Sequence, residues 1–209
     1  MDSEYEYFGK DVCAKVTGIG KVNAAMAATE LIIREEPDYV ISTGCAGAMA
    51  PELSVGDLVI STASAYHDVW CGEPNKPGQV QGCPAQFMSD PELFNAAITV
   101  AKRLEIPYKT GKLCTGDQFF ISIEEDERIR SVHPDVLAAD MESAAIAQVC
   151  DTYRIPFISI RFISDIHTSE QIQKETYDNF WKDTKQNNYR FISELIGELQ
   201  SINTQLNII

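Results

Sequence analysis

Apolar and polar positions along the chain alternate between strand and helix periods. After a short polar lead, Asp11–Thr17 reads as a strand, and Gly18-Ile19-Gly20-Lys21 turns out of it into Val22–Arg34, where Ala recurs at helical spacing. Pro37-Asp38 closes that helix, and apolar Tyr39–Thr43 predicts the next strand. Gly44-Cys45-Ala46-Gly47 follows it, and Asp57–Ala63 is a further strand. Residues Tyr66–Gln86 mix glycine, proline and polar residues without a period, which predicts one long loop of the kind that usually serves function. Asp90 and Pro91 open a helix to about Leu104, the first as cap and the second in the first turn.

The pattern continues with a strand at Lys109–Thr115 and a charged helix at Ile123–Ser131. A strand at Val136–Ala139 and an Ala-rich helix at Ser143–Tyr153 come next. Ile155–Ile158 runs on through Ser159–Asp165 as a buried strand that delivers a carboxylate at its far end. Two helices are expected beyond residue 170, the last from about Phe180 to Ser201 with Phe191, Leu195 and Leu199 four residues apart. Helix, apolar strand and glycine loop in succession predict an α/β fold, a mixed but mostly parallel twisted sheet flanked by helices, in one domain over residues 1–209.

Charge narrows the classes of function. Seventeen basic against thirty-one acidic residues give a net charge of −14, which repels nucleic acid and anionic lipid, so neither is expected as a partner. The six cysteines form no Cys-x-x-Cys pair, and no run reaches the length of a membrane span. Reduced thiols in a cytoplasmic protein are the expectation.

Gly18-Ile19-Gly20 invites a dinucleotide reading, but Asn23 stands where the third glycine of that fingerprint belongs. A tight turn that lets backbone approach a ligand remains open, as does backbone contact from Gly44–Gly47. Cys45 has no evident histidine partner, and His67, His133 and His167 show no metal-ligand spacing, so neither a thiol nucleophile nor a metal or cofactor is expected. Asp117, Asp140, Glu142 and Asp165 each fall at or just beyond the end of a predicted strand, where open α/β sheets gather ligands. With Phe119 and Phe120 as a flat wall, they suit a ring-bearing, hydroxyl-rich substrate.

Several of these motifs recur together and in order. They are Thr17–Lys21, Thr43–Gly47, Val55-Gly56-Asp57, Tyr66-His67-Asp68, Gly82-Cys83-Pro84, Gly116–Phe119, Asp140–Ala147 and Arg161–Asp165. In this respect the chain resembles the 5′-methylthioadenosine/S-adenosylhomocysteine nucleosidases of the purine nucleoside phosphorylase superfamily. The resemblance implies hydrolysis of an N-glycosidic bond, giving adenine and a 5-thio-ribose. It assigns catalysis to Asp165, at adenine N7, and to Glu142, at the ribose hydroxyls. It places Ile19, Cys45, Ala46, Gly47, Phe119, Phe120, Met141, Arg161, Ser164 and Tyr177 around the substrate, Phe119 stacking on the purine and Tyr177 against the 5′ substituent. It also implies a homodimer in which the Tyr66–Gln86 loop closes the partner's pocket.

A phosphate-dependent nucleoside phosphorylase is the nearest alternative. Such enzymes place an Arg before the glycine turn, and here the stretch is Ile41-Ser42-Thr43-Gly44. A binding protein with impaired chemistry is the other, because the family's first strand and its water-activating Glu fall upstream of Met1, and Glu4 and Glu6 do not take that place in the pattern. A strand missing from mid-sheet would leave an edge for a neighbouring strand or subunit to cover.

Overall fold

The structure, a computed structural model, describes residues 5–7, 11–119, 122–166 and 185–206. Strands β1 (Tyr5–Tyr7) and β2 (Cys13–Lys15) form an antiparallel ribbon of their own. The stretch read from sequence as the first strand of a parallel sheet therefore lies outside the main sheet. That sheet contains β3 (Val40–Ala48), β4 (Leu58–Tyr66), β5 (Phe87–Met88), β6 (Tyr108–Thr115), β7 (Val136–Asp140) and β8 (Phe157–Ile166), in the order β5-β4-β6-β7-β3-β8. A further pairing of β4 with β8 closes it into a ring.

The long registers, β3 with β8 and β4 with β6, are parallel, as is β6 with β7. Yet β3 meets β7, and β4 meets β8, antiparallel. The sheet is thus two parallel sets running in opposed directions, and β3 and β7 overlap only by their C-terminal tails, at Gly47↔Ala139 and Ala48↔Ala138. Over Val40–Ala46, β3 is paired with β8 alone, and among the described residues no strand lies along its other edge.

Helices α1 (Lys21–Glu35), α2 (Pro91–Arg103), α3 (Ile123–Val132), α4 (Ser143–Tyr153) and α5 (Lys185–Leu206) pack outside the strands. The first turn of α2 forms as its sequence dictates, with Asp90 accepting from the Glu92 and Leu93 amides at 2.9 and 3.1 Å. Its buried Leu93, Ala97 and Val100 share a core with Leu58, Ile60, Ile160 and Phe162 and with Phe191, Leu195 and Leu199 of α5. On another flank, Ala24 and Ala28 of α1 meet Ala144, Ala147 and Cys150 of α4, and these small side chains let the two helices approach closely. Among the described residues no helix is long and apolar enough to cross a membrane.

The glycine turn expected at Gly44–Gly47 does not form, because β3 runs straight through it to Ala48. Continuous pairing with β8 uses this backbone as ladder, so the stretch extends the strand rather than reversing the chain. The long loop after β4 is present. It folds on itself through bonds such as Gly78 N–H to the Val69 carbonyl and Gln79 Nε2 to the Cys83 carbonyl, both 2.8 Å, and it leaves Trp70 exposed.

Candidate active site

Pairing of β3 with β8 brings Asp165 opposite Gly47, and the register slips there by one residue, so that Ser164 is the extra residue of a bulge. Bulges re-aim the side chains that follow them. Ser164 Oγ lies 2.7 Å from Asp165 Oδ1, donating to it, and 3.4 Å from the Ala46 carbonyl. Both residues are buried.

From the opposed set of strands, β7 ends in Asp140, and the chain passes through half-buried Met141 and Glu142 into α4. Glu142 Oε1 accepts the Gly20 amide at 2.9 Å. Burial is the largest influence on Glu142 and holds its pKa above the usual carboxylate range. Nearby Asp140 adds to the rise, while the Gly20 amide and Arg161 oppose it.

Cys45 lies on β3 opposite Phe162 of β8. Burial pushes its thiol up to about 12, Arg161 acting in the other direction and Asp165 and Glu142 adding to the rise. The rise has burial, not a charged neighbour, as its main cause. It also keeps the sulfur protonated near neutrality, so Cys45 lines the site as a small side chain and not as a thiolate.

Beneath this junction lies a buried ion pair that the sequence did not disclose. Arg161 Nε donates to Asp140 Oδ2 at 2.8 Å, its other nitrogens reach Ser42 Oγ at 2.9 Å and the Ile160 carbonyl at 3.2 Å, and the residue is 1% exposed. Asp140 also accepts from Thr115 Oγ1 at 2.6 Å, from the Glu142 and Ser143 amides, and from the Ser143 hydroxyl. A carboxylate so fully occupied has no capacity left for a ligand. The expectation that Asp140 lines the pocket is corrected: it anchors the first turn of α4. Arg161 acts through that frame, holding the β7 end against β3.

Asp117 likewise turns to the protein, its Oδ1 accepting the Lys21 amide at 2.8 Å. Asp117 and Glu142 thus each accept one amide of the turn before α1, and Asp165 stands apart from them at the end of β8. Ile19 is exposed beside Gly20, and Phe119 is part-exposed just beyond β6. Ala46 and Gly47 lie on β3 beside Asp165. Phe120 and Tyr177 lie outside the described residues. Ser42, Thr115, Ser143 and Lys21 were missed as site-forming residues. Only Lys21 carried a signal, its place in the Gly-Ile-Gly-Lys turn.

Two buried histidines flank the end of β4. His67 packs on Gly116, where even a Cβ would collide with the ring, and neither of its ring nitrogens has a partner among the described residues. His133 Nε2 lies 3.1 Å from the Tyr66 carbonyl. Burial is the largest influence on both and lowers their pKa values, while Asp68 opposes at His67 and the Tyr66 carbonyl at His133. The folded pKa therefore lies below that of the unfolded chain, about 6.5. Stability from this source is complete above that value and is lost as pH falls below it toward the folded pKa. The urea midpoint is expected to drop between about pH 7 and pH 5.5, and His133→Gln to flatten that drop. A midpoint that rose on acidification over this range would contradict the assignment.

The closed α/β ring belongs to the phosphorylase superfamily, whose family model matches residues 3–197. A curated relative from Tolumonas auensis, a 5′-methylthioadenosine/S-adenosylhomocysteine nucleosidase, is 41% identical over 196 residues, covering 93% of this chain and 84% of its own. Within the superfamily, the chain belongs to the 5′-methylthioadenosine/S-adenosylhomocysteine nucleosidases. Solved structures agree. The Neisseria meningitidis nucleosidase in complex with methylthio-immucillin-A is 35% identical with a TM-score of 0.84, over 93% of this chain and 89% of that one. The Colwellia psychrerythraea nucleosidase in complex with adenine is 34% identical with a TM-score of 0.86, over 95% and 87%.

Proposed function

We propose that the chain hydrolyses the N-glycosidic bond of 5′-methylthioadenosine and S-adenosylhomocysteine, releasing adenine and the 5-thio-ribose. The observation that carries this reading is the buried Asp165 at the bulged end of β8, opposite Gly47, in a chain that belongs to this family. As the bond between the base and C1′ breaks, its electron pair moves onto adenine, and Asp165 supplies the proton at N7 so that the base leaves neutral. Positive charge develops on the sugar, and Glu142 accepts from the ribose hydroxyls and opposes that charge. A carboxylate has acceptor capacity beyond the Gly20 bond it already makes. Water then adds at C1′ and releases a proton to solvent, and Asp165 takes one back to restore the acid. Phe119 stacks on the base, and Met141 and Ile19 line the sugar.

Water is favoured over phosphate because an anion would find little free positive charge here. Thr43 precedes Gly44, and the nearby Arg161 is already neutralised by Asp140. A homodimer is part of the reading. Val22, Met26 and Ile33 form an exposed apolar stripe along one face of α1, opposite the alanines that pack on α4. Thiols such as Cys45, Cys114 and Cys150, which form no disulfide, suit a reducing cytoplasm.

One experiment tests the whole: adenine release from methylthioadenosine, assayed with and without phosphate across size-exclusion fractions. Phosphate-independent release is expected in the fraction at twice the chain mass of 23.2 kDa. Release that needs phosphate would point to a phosphorylase, and tight binding without release to a protein that has lost the chemistry.

A further inference from the structure

The N-terminus of α1 carries no cap of its own. Gly20 is the capping residue, at φ 93°, and the first turn holds no acidic side chain. Its amides are taken instead by carboxylates from two distant strand ends, Gly20 by Glu142 at 2.9 Å and Lys21 by Asp117 at 2.8 Å. Asp117 is in turn held by Asp68, whose Oδ2 accepts the Asp117 amide at 2.9 Å. The Lys21 ammonium closes this network, 2.6 Å from Asp68 Oδ2, 3.7 Å from Asp117 Oδ2 and 5.6 Å from the centre of the Tyr66 ring.

The loop after β4, the end of β6 and the turn before α1 are thus tied together through one ammonium, and the residue next to that ammonium is the one that grips Glu142. Gly20 has little room to shift, since a Cβ there would already lie 3.1 Å from Asp117 Oδ1. Burial pushes Asp68 up, but the Lys21 ion pair and the Asp117 amide outweigh it and hold the carboxyl below its ordinary value.

We propose that Lys21, clamped by Asp68 and Asp117, is a positioning residue for Glu142: it fixes the Gly20 turn and thereby sets where the Glu142 carboxylate meets the sugar. This rests on the reading of Glu142 as the ribose-binding group. If Lys21 acts through Glu142, its removal should cost activity only while Glu142 is present, because coupled residues do not add.

The test is a double-mutant cycle of Lys21→Met and Glu142→Ala. It is read as kcat and KM for methylthioadenosine, and as Kd for the 7-deaza analogue, which offers no N7 to protonate. Lys21→Met is expected to lower kcat/KM and weaken analogue binding by about tenfold in the otherwise unchanged chain, and by less than about twofold in the Glu142→Ala background. Lys21→Arg, which keeps the charge, should recover most of the loss. Equal losses in both backgrounds, or a lowered melting temperature with unchanged kcat/KM and Kd, would overturn the proposal and leave Lys21 as a structural ion pair. A Glu142→Ala variant that itself binds the analogue and turns over normally would instead overturn the sugar-binding role of Glu142.

Discussion

Replacing Asp165 by Asn is expected to lower kcat for adenine release by about 10²–10⁴-fold, the range for loss of a positioned general acid. Binding of the 7-deaza analogue, which cannot take a proton at position 7, should change far less. The substitution preserves shape, and an amide oxygen can still accept from the Ser164 hydroxyl now 2.7 Å from Asp165 Oδ1. What is lost is a transferable proton. A kinetic loss that appears in kcat while affinity persists is the mark of an interaction made only in the transition state. Steady-state adenine release beside a binding isotherm for the analogue decides it. A loss of less than tenfold, or one carried wholly by affinity, would remove Asp165 from the role of acid.

The second large effect concerns stability. In Arg161→Met the Asp140 carboxylate stays buried without its counter-ion, and breaking a pair of this kind from one side costs about 3–5 kcal/mol. Side-chain exposures of 2% for Arg161 and 1% for Asp140 rule out rescue by solvent without rearrangement. The remaining donors, Thr115 and Ser143, satisfy oxygens of Asp140 but do not neutralise it. Urea denaturation should show the loss as a lower midpoint with little change in slope. The double variant Arg161→Met with Asp140→Asn should recover part of it, because no uncompensated charge is then left inside. A single-variant loss below about 1 kcal/mol would mean that the pair is not the support of the β7 end described above.

Elements with local causes were legible in the sequence. Asp90-Pro91 announced α2, the alanines of Ser143–Tyr153 announced α4, and apolar Phe157–Ser164 leading to Asp165 announced β8. Each is fixed by capping, propensity or periodicity within a few residues. The family was legible too, since its motifs are short, ordered and read without knowledge of contacts. Less was legible where residues of one type serve two ends. Gly44–Gly47 has the composition of a turn and forms strand, because the ladder with β8 supplies hydrogen bonds that local sequence cannot count. Asp140 has the strand-end position of a ligand-binding carboxylate, and Arg161, Thr115 and Ser143 consume it.

The sequence by itself determined helices α1 to α4 and, in outline, strands β3, β4, β6, β7 and β8, that an acidic residue stands near the end of β8 and another before α4, and to which family the chain belongs. Only the tertiary structure decided that the strands run in two opposed sets overlapping at the tails of β3 and β7, with Asp165 set opposite Gly47 by a bulge in β8. It alone decided that Asp140 and Asp117 are spent on the protein while Lys21 and Asp68 hold the turn that grips Glu142. The physical reason is range. Capping and periodicity act over one or two turns of chain, whereas the pairing of buried charge joins residues scores of positions apart, and which partner wins depends on desolvation and geometry that exist only once the chain has closed.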